Sequence, residues 1–165
     1  MSYDICFMKL APGEDPAAVF SELMEEEEAA SVDSSAPVDP ETQAAMHRLA
    51  DAVVRRIPAL EQFQPSQPLP WIELTDRGLG LQLLINPAAV NLTVAYFREG
   101  DEILDRLCEC IKIVCEEGGF TAYDPQLGRE VDARDFSTIR AGYRSMDAKL
   151  PGIVAQQKPW WKFWA

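Results

Sequence analysis

The feature that most limits the possible folds is an apolar stretch from residue 71 to residue 97, which turn residues divide into strand-length parts. Asp76-Arg77-Gly78 and Asn86-Pro87 supply the turns. Because such short turns reverse the chain, the stretch predicts an antiparallel meander. The same division leaves no run of ~20 apolar residues, the length that a membrane-spanning helix needs. The three predicted strands are "WIELTD" (71–76), "GLGLQLLI" (78–85) and "VNLTVAYF" (90–97).

Three other segments carry helix signals. Asp15-Pro16 and Asp39-Pro40 each place a capping residue before a proline, which is typical of the first turn of a helix. Apolar residues at helical spacing follow both pairs and recur in residues 100–119. We expect the first helix to fray at the four consecutive glutamates Glu25–Glu28, since negative charges are unfavourable near a helix C-terminus. Residues 29–39 are then interpreted as a linker.

The order of the predicted elements indicates the fold class. A first strand at 3–10 and a final hairpin from "FTAYD" and "REV" complete the order β-α-α-β-β-β-α-β-β. This order predicts an α+β domain, a mainly antiparallel sheet with two or three helices packed on one face. Residues 60–70 contain too many prolines for a central strand and are interpreted as a connector. We predict a single α+β domain over 1–133 and a C-terminal extension, helical and rich in tryptophan, over 134–165.

Charge is distributed unevenly along the chain. The net charge is −12, and residues 10–47 contain ten acidic residues and no Lys or Arg. Residues 134–165 contain six basic and two acidic residues. A strongly acidic field disfavours nucleic acid as a partner and favours a protein with a basic surface. The acidic residues predicted to contact such a partner are Glu22, Glu25, Glu26, Glu27, Glu28 and Asp33.

The C-terminal sequence "PWWKFW" (159–164) is a second candidate contact. Tryptophan dominates the energetics of many protein interfaces, which makes Trp160, Trp161 and Trp164 candidates for partner binding. An exposed tail this apolar would promote aggregation. This argument predicts that the tail packs either on its own chain or on a second copy in a homodimer, and both interpretations stay open. A weak anchor at a membrane interface is the less favoured alternative.

Patterns that carry catalysis or hold cofactors do not occur in the sequence. There is no P-loop or G-x-G-x-x-G motif, and the single histidine, His47, excludes a multi-histidine metal centre. The four cysteines match neither a C-x-x-C pair nor a zinc ribbon and are interpreted as small apolar side chains in a reducing compartment. They are Cys6, Cys108, Cys110 and Cys115. We predict a cytoplasmic protein that is not an enzyme, without cofactor or metal.

Two short motifs carry a resemblance. The chain opens with "MSYD", and "AYDPQLGR" follows a helix that ends in "EEGGF". Together they resemble a group of small acidic bacterial proteins that begin with Ser-Tyr-Asp and close with a Tyr-Asp-Pro-Gln hairpin. Proteins of this group look like immunity or accessory proteins of bacterial toxin systems. Within the second motif, Asp124, Pro125 and Gly128 are the residues that a hairpin turn requires.

These observations lead to two functional hypotheses. The first is a protein-binding module, an immunity protein that neutralises a cognate bacterial toxin by occluding it. The acidic segment, the missing catalytic pattern and the resemblance motivate it. The alternative is a regulatory or small-molecule-binding α+β domain, with a ligand pocket between sheet and helices lined by Trp71, Tyr96 and Tyr123.

Overall fold

A computed structural model describes residues 2–29, 38–64, 69–95 and 101–145 of the chain. Helices and strands occupy most of these ranges. The helices are α1 (Pro16–Ala29), α2 (Pro40–Arg56), α3 (Asp101–Gly118) and α4 (137–145). The strands are β1 (Ser2–Met8), β2 (Glu61–Gln62), β3 (Ile72–Asp76), β4 (Leu81–Ile85), β5 (Ala89–Ala95), β6 (Thr121–Asp124) and β7 (Arg129–Glu130).

The described strands form one antiparallel sheet in the order β2-β3-β4-β5-β1-β6-β7. The predicted meander is confirmed, because β3, β4 and β5 are consecutive neighbours. The N-terminal strand lies between this meander and the β6–β7 hairpin. Part of the proline-rich connector pairs as β2, at the sheet edge, and this two-residue strand itself contains no proline. The α+β class predicted from the sequence is thereby confirmed.

One face of the sheet is covered by α2, α3 and α4, and we call it the covered face. Alternate residues of each strand point into it, as Val90, Leu92 and Val94 of β5 do. The apolar stripes of α2 and α3 pack against these side chains, and the helix residues buried there include Leu49 and Leu107. The cap predicted for α2 is confirmed, since Asp39 accepts the N–H groups of Glu41 and Thr42. Hydrogen bonds from Thr42 and Glu41 hold the pKa of Asp39 below its usual value.

Helix α4 belongs to the same core. Ile139 and Tyr143 are 2% and 3% exposed and pack in the cluster that fills the covered face. Arg140 Nη2 and Arg144 Nη2 lie 2.5 Å from carboxylate oxygens of Asp105 and Asp101 on α3. The first part of the segment predicted as an extension, 134–165, therefore packs with the sheet. Residues 146–165 lie outside the described part.

Helix α1 lies on the opposite face of the sheet. It packs on a smaller cluster whose buried members are Cys6, Met8 and Tyr123. In β1, Cys6 and Met8 alternate with Ile5 and Phe7, which point into the covered face. The expected fraying at the glutamates is wrong, because the helix continues through Glu25–Glu28 to Ala29. Packing of the preceding turns extends the helix into residues whose charges oppose it.

Candidate protein-binding surface

A tight loop places α1 on the face opposite α2 and α3. Gly13 has φ of 89° and allows the chain to turn after β1. The Glu14 carboxylate accepts the N–H of Ala11 at 2.7 Å, and the Asp15 carboxylate accepts the N–H of Ala17 at 3.3 Å. The first turn of α1 is therefore fixed by local carboxylates.

The inner side of α1 holds the helix on the sheet. The rings of Phe20 and Tyr123 lie with centroids 5.1 Å apart and planes tilted by 36°. Leu23 and Ala17 are partly buried against the cluster of Cys6, Met8 and Tyr123. This contact is much smaller than the core of the covered face, and it leaves the outer side of the helix free of described neighbours.

The outer side of α1 is acidic and exposed, and we call it the α1 outer surface. It consists of Ser21, Glu22, Met24 and Glu25. Met24 is 46% exposed and adds an apolar side chain to this surface. The helix backbone then carries Glu26, Glu27 and Glu28. An apolar side chain beside several carboxylates is a combination found where proteins bind basic partners.

The carboxylates of this surface have no cationic partner in the described part of the chain. All ion pairs found there involve α2, α3 and α4, namely Arg56–Glu116, Lys112–Glu116, Arg140–Asp105 and Arg144–Asp101. Glu22 and Glu25 appear in none of them. Their negative charge is therefore not compensated within the described residues, and it is available to a molecule outside.

The strands beside α1 present a polar surface on the same face, which we call the open face. Thr75, Gln82, Thr93 and Asp4 lie side by side across β3, β4, β5 and β1. All but Gln82 are half-buried, as is typical of a sheet face that carries polar side chains. Among the residues that the structure describes, α1 is the helix packed on this face. The open face extends the α1 outer surface across the sheet.

The structure places the predicted partner-binding residues in two groups. Glu22 and Glu25 are exposed on α1, and Glu26, Glu27 and Glu28 follow on the same helix. Asp33 and the three tail tryptophans, Trp160, Trp161 and Trp164, lie outside the described residues. Five of the six predicted acidic residues therefore have a defined position along α1.

The residues of the predicted ligand pocket do not come together. Trp71 lines a pocket of about 210 Å³ with His47 and Phe63, at the edge of the sheet near the start of α2. Tyr123 is buried beneath α1 on β6, four strands from β3 and hence about 19 Å away. Tyr96 lies outside the described residues. A single pocket lined by both Trp71 and Tyr123 is incompatible with this arrangement.

The two motifs that carry the resemblance contact each other. The Tyr3 hydroxyl donates to Oδ2 of Asp124, a carboxylate with no exposed surface. Asp124 Oδ1 accepts the N–H of Leu127 at 2.9 Å and thereby closes the hairpin turn. With its amide nitrogen turned towards β1, Gln126 donates to the carbonyl of Asp4 at 2.8 Å.

The Tyr3–Asp124 contact was not predicted. The alternation in β1 places Tyr3 on the same side as Ile5 and Phe7, which is a signal for burial. No local pattern indicates that its hydroxyl meets a carboxylate 121 residues away. The predicted turn is present, with Gly128 at φ of 64°, and its aspartate also joins the neighbouring strands β1 and β6, which are far apart in the sequence.

The cysteines have the properties of packed thiols. Burial raises the pKa of Cys108 and of Cys115 to about 11, and that of Cys110 to about 12. At neutral pH these three side chains stay protonated and are weak nucleophiles. His47 is exposed beside the Trp71 pocket. The residues with described side chains include no group of three or more His, Cys, Asp or Glu that could hold a metal ion.

Comparisons with protein-family models, curated proteins and solved structures found no match to this chain. Within the described ranges, none of the helices combines the length and the apolar character needed to cross a bilayer.

Proposed function

We propose that this chain is a protein-binding module that docks a basic partner protein on the α1 outer surface. The observation that carries the proposal is that Glu22 and Glu25 are exposed on an ordered helix without a cationic partner among the described residues. Met24 supplies an apolar contact on the same surface. The partner would contribute Lys or Arg around a small apolar depression.

The charge arrangement on α1 opposes helix formation. Like charges three or four residues apart destabilise a helix by about 0.2–0.5 kcal/mol per pair. Glutamates in the last turns also face the negative end of the helix dipole. A function in recognition accounts for such an arrangement, because a basic partner would convert the repulsion into attraction and accelerate association.

The specific role that we propose is that of an immunity protein, which neutralises a toxin by covering its basic active surface. Toxins that act on nucleic acid need such a surface to bind phosphates. An acidic helix beside a polar sheet face would compete for the same positive charges. The resemblance in "MSYD" and "AYDPQLGR" supports this role and is independent of the charge argument.

The test is pairwise co-expression of the full chain with the product of each adjacent gene, followed by affinity measurement at two salt concentrations. We expect one tight complex that weakens as salt rises, because screening acts on exposed charges. A variant with Glu22→Gln, Glu25→Gln and Glu26→Gln should bind that partner at least about tenfold more weakly. If the partner is toxic, the wild-type chain should restore growth and the variant should not.

A control variant removes the same number of charges elsewhere. Asp51→Asn, Glu61→Gln and Glu109→Gln alter exposed residues on α2, β2 and α3. Binding by this control should stay close to that of the wild type. Equal losses in both variants would mean that only net charge matters, and the proposed surface would then be wrong. Absence of a salt-sensitive complex with any adjacent gene product would contradict the immunity role.

A further inference from the structure

A pocket of about 400 Å³ lies where β1 ends, between the first half of α2, the β4–β5 turn and the end of α3. Its size falls in the range of about 300–1,000 Å³ that small ligands occupy. It is separate from the α1 outer surface, which lies on the other face of the sheet. No part of the proposed protein-binding function uses it.

Two cations line this pocket, although the chain as a whole is strongly acidic. They are Lys9, directly after β1, and Arg48 on α2. Neither forms an ion pair with a carboxylate of the described residues. The ammonium of Lys9 lies 5.3 Å from the centroid of the Phe120 ring, and a cation–π contact at this distance holds it at the pocket wall.

The floor of the pocket is apolar. Met46, Leu49 and Ile85 are 7%, 5% and 1% exposed and contribute to it. The ring of Phe120 forms one wall and approaches the end of α3 closely, because Gly118 has no Cβ to meet it. An apolar part of a ligand therefore has the Phe120 ring and the exposed edges of these side chains to contact, beside the two cations.

The pocket also has a negative group in its lining. Glu117 lines it, and the last carbonyl groups of α3 lie beside that residue. The carbonyl end of a helix favours a positive charge, as the carboxylate of Glu117 does. The pocket thus combines two cations, an apolar floor and an acidic wall.

We propose that this pocket binds a small organic carboxylate with an apolar body. The carboxylate would lie between Lys9 and Arg48, and the body would lie on Met46, Leu49 and the ring of Phe120. An apolar α-amino acid is one source of this chemistry, since its ammonium group would meet Glu117. The corresponding acid without the amino group is the other source.

The test is titration calorimetry on the full chain with leucine, 4-methylpentanoate and leucinamide. Leucine and 4-methylpentanoate carry the required carboxylate, and leucinamide lacks it. We expect at least one of the two carboxylates to saturate the protein, and leucinamide to bind at least about tenfold more weakly. If the amino acid is the ligand, Glu117→Gln should weaken the binding of leucine and should leave the binding of 4-methylpentanoate unchanged.

Substitutions in the pocket complete the test. Arg48→Gln and Lys9→Gln change exposed side chains, so the fold should persist, and each should weaken carboxylate binding at least about tenfold. Arg55→Gln, on the same helix but outside the pocket, should bind as the wild type does. Ligand-induced NMR shifts should centre on the methyl groups of Met46, Leu49 and Ile85.

Three results would overturn the proposal. The first is an absence of saturable binding by both carboxylates up to about 10 mM, above the millimolar affinity of a weak small ligand. The second is binding that persists in both the Arg48 and the Lys9 variants. The third is leucinamide binding as strong as that of leucine. Because none of these measurements involves α1, such a failure would leave the proposed protein-binding function in place.

Discussion

The two faces of the sheet differ in how much apolar surface they bury and in how the charges beside them are paired. On the covered face, α2, α3 and α4 enclose a core in which many side chains have no exposed surface, and ion pairs join neighbouring helices across it. On the other face, α1 rests on a small cluster, and the carboxylates of Glu22 and Glu25 have no cationic partner among the described residues. The difference supports the proposal that one face provides stability and that the other takes part in recognition.

The same strands serve both faces because side chains alternate along them. Leu83 of β4 has no exposed surface and lies in the core, whereas its neighbour Leu84 is half-buried on the open face. Neighbouring positions therefore experience different environments although they share the same backbone pairing. Paired substitutions on one strand test the comparison directly.

The largest expected effect is that of Leu83→Ala. Removing a fully buried leucine leaves a cavity and should lower the free energy of unfolding by about 2–5 kcal/mol. Leu84→Ala is the matched control and should cost less than about 1 kcal/mol, because less apolar surface is lost from burial. Urea unfolding of both variants measures the difference. Similar losses would mean that the open face is packed as tightly as the covered one.

The second effect concerns the contact between Tyr3 on β1 and Asp124 on the neighbouring strand β6. Tyr3→Phe removes the hydroxyl that donates to the buried carboxylate of Asp124 and should cost about 1–3 kcal/mol. Tyr143→Phe is the control, since its hydroxyl donates at 3.3 Å to the carbonyl of Ala95 in a partly buried site. The loss in free energy of unfolding should be smaller for Tyr143→Phe than for Tyr3→Phe, as measured by thermal or urea unfolding. An equal or larger loss for Tyr143→Phe would remove the special role of the Tyr3–Asp124 bond.

The third effect tests how α1 is held. Phe20→Ala removes the ring that lies against Tyr123 and should cost about 1–2 kcal/mol, below the cost of truncating a fully buried phenylalanine. Hydrogen exchange should accelerate in α1 and stay slow in α2 and α3, because their core doesn't include α1. Uniform acceleration over the whole chain would show that the two faces unfold as one unit.

The elements of the covered face were predictable because local signals agree with the fold. Asp39 before Pro40 marks the start of α2, and alternation with short turns marks the meander. Local signals do not show on which face of the sheet a helix packs. The apolar stripe of α1 shows that it packs on something, and the loop around Gly13 decides on which side of the sheet.

Contacts between residues far apart in the sequence could not be predicted, because local patterns carry no information about which elements become neighbours. Tyr3 with Asp124, and Arg140 with Asp105, meet only once the sheet and α3 have assembled. Exposure was easier to predict than proximity, since a run of glutamates indicates a solvated surface by composition alone. Trp71 and Tyr123 show the converse case, in which residues of suitable chemistry lie on strands far apart in the sheet.

The smallest expected effect is an increase in stability, whereas the preceding substitutions all lower it. Glu22→Gln, Glu25→Gln and Glu26→Gln together remove like-charge pairs spaced three and four residues apart, each worth about 0.2–0.5 kcal/mol. The free energy of unfolding should therefore rise by a few tenths to about 1 kcal/mol, most clearly at low salt. In the control variant, Asp51 precedes Arg55 by four residues and Glu109 precedes Lys112 by three. Neutralising those acids, together with Glu61, should leave stability unchanged or slightly lower.

This opposite sign separates a recognition surface from ordinary solvated charge. If the α1 variant gains stability and loses partner binding, the glutamates are maintained against the stability of their own helix, as residues at functional sites often are. If it loses stability, the carboxylates have favourable contacts within the chain, and α1 resembles the helices of the covered face in its electrostatics. Urea unfolding of the two variants at low and high salt gives the sign of the stability change before any partner has been identified, and the binding measurement then completes the comparison.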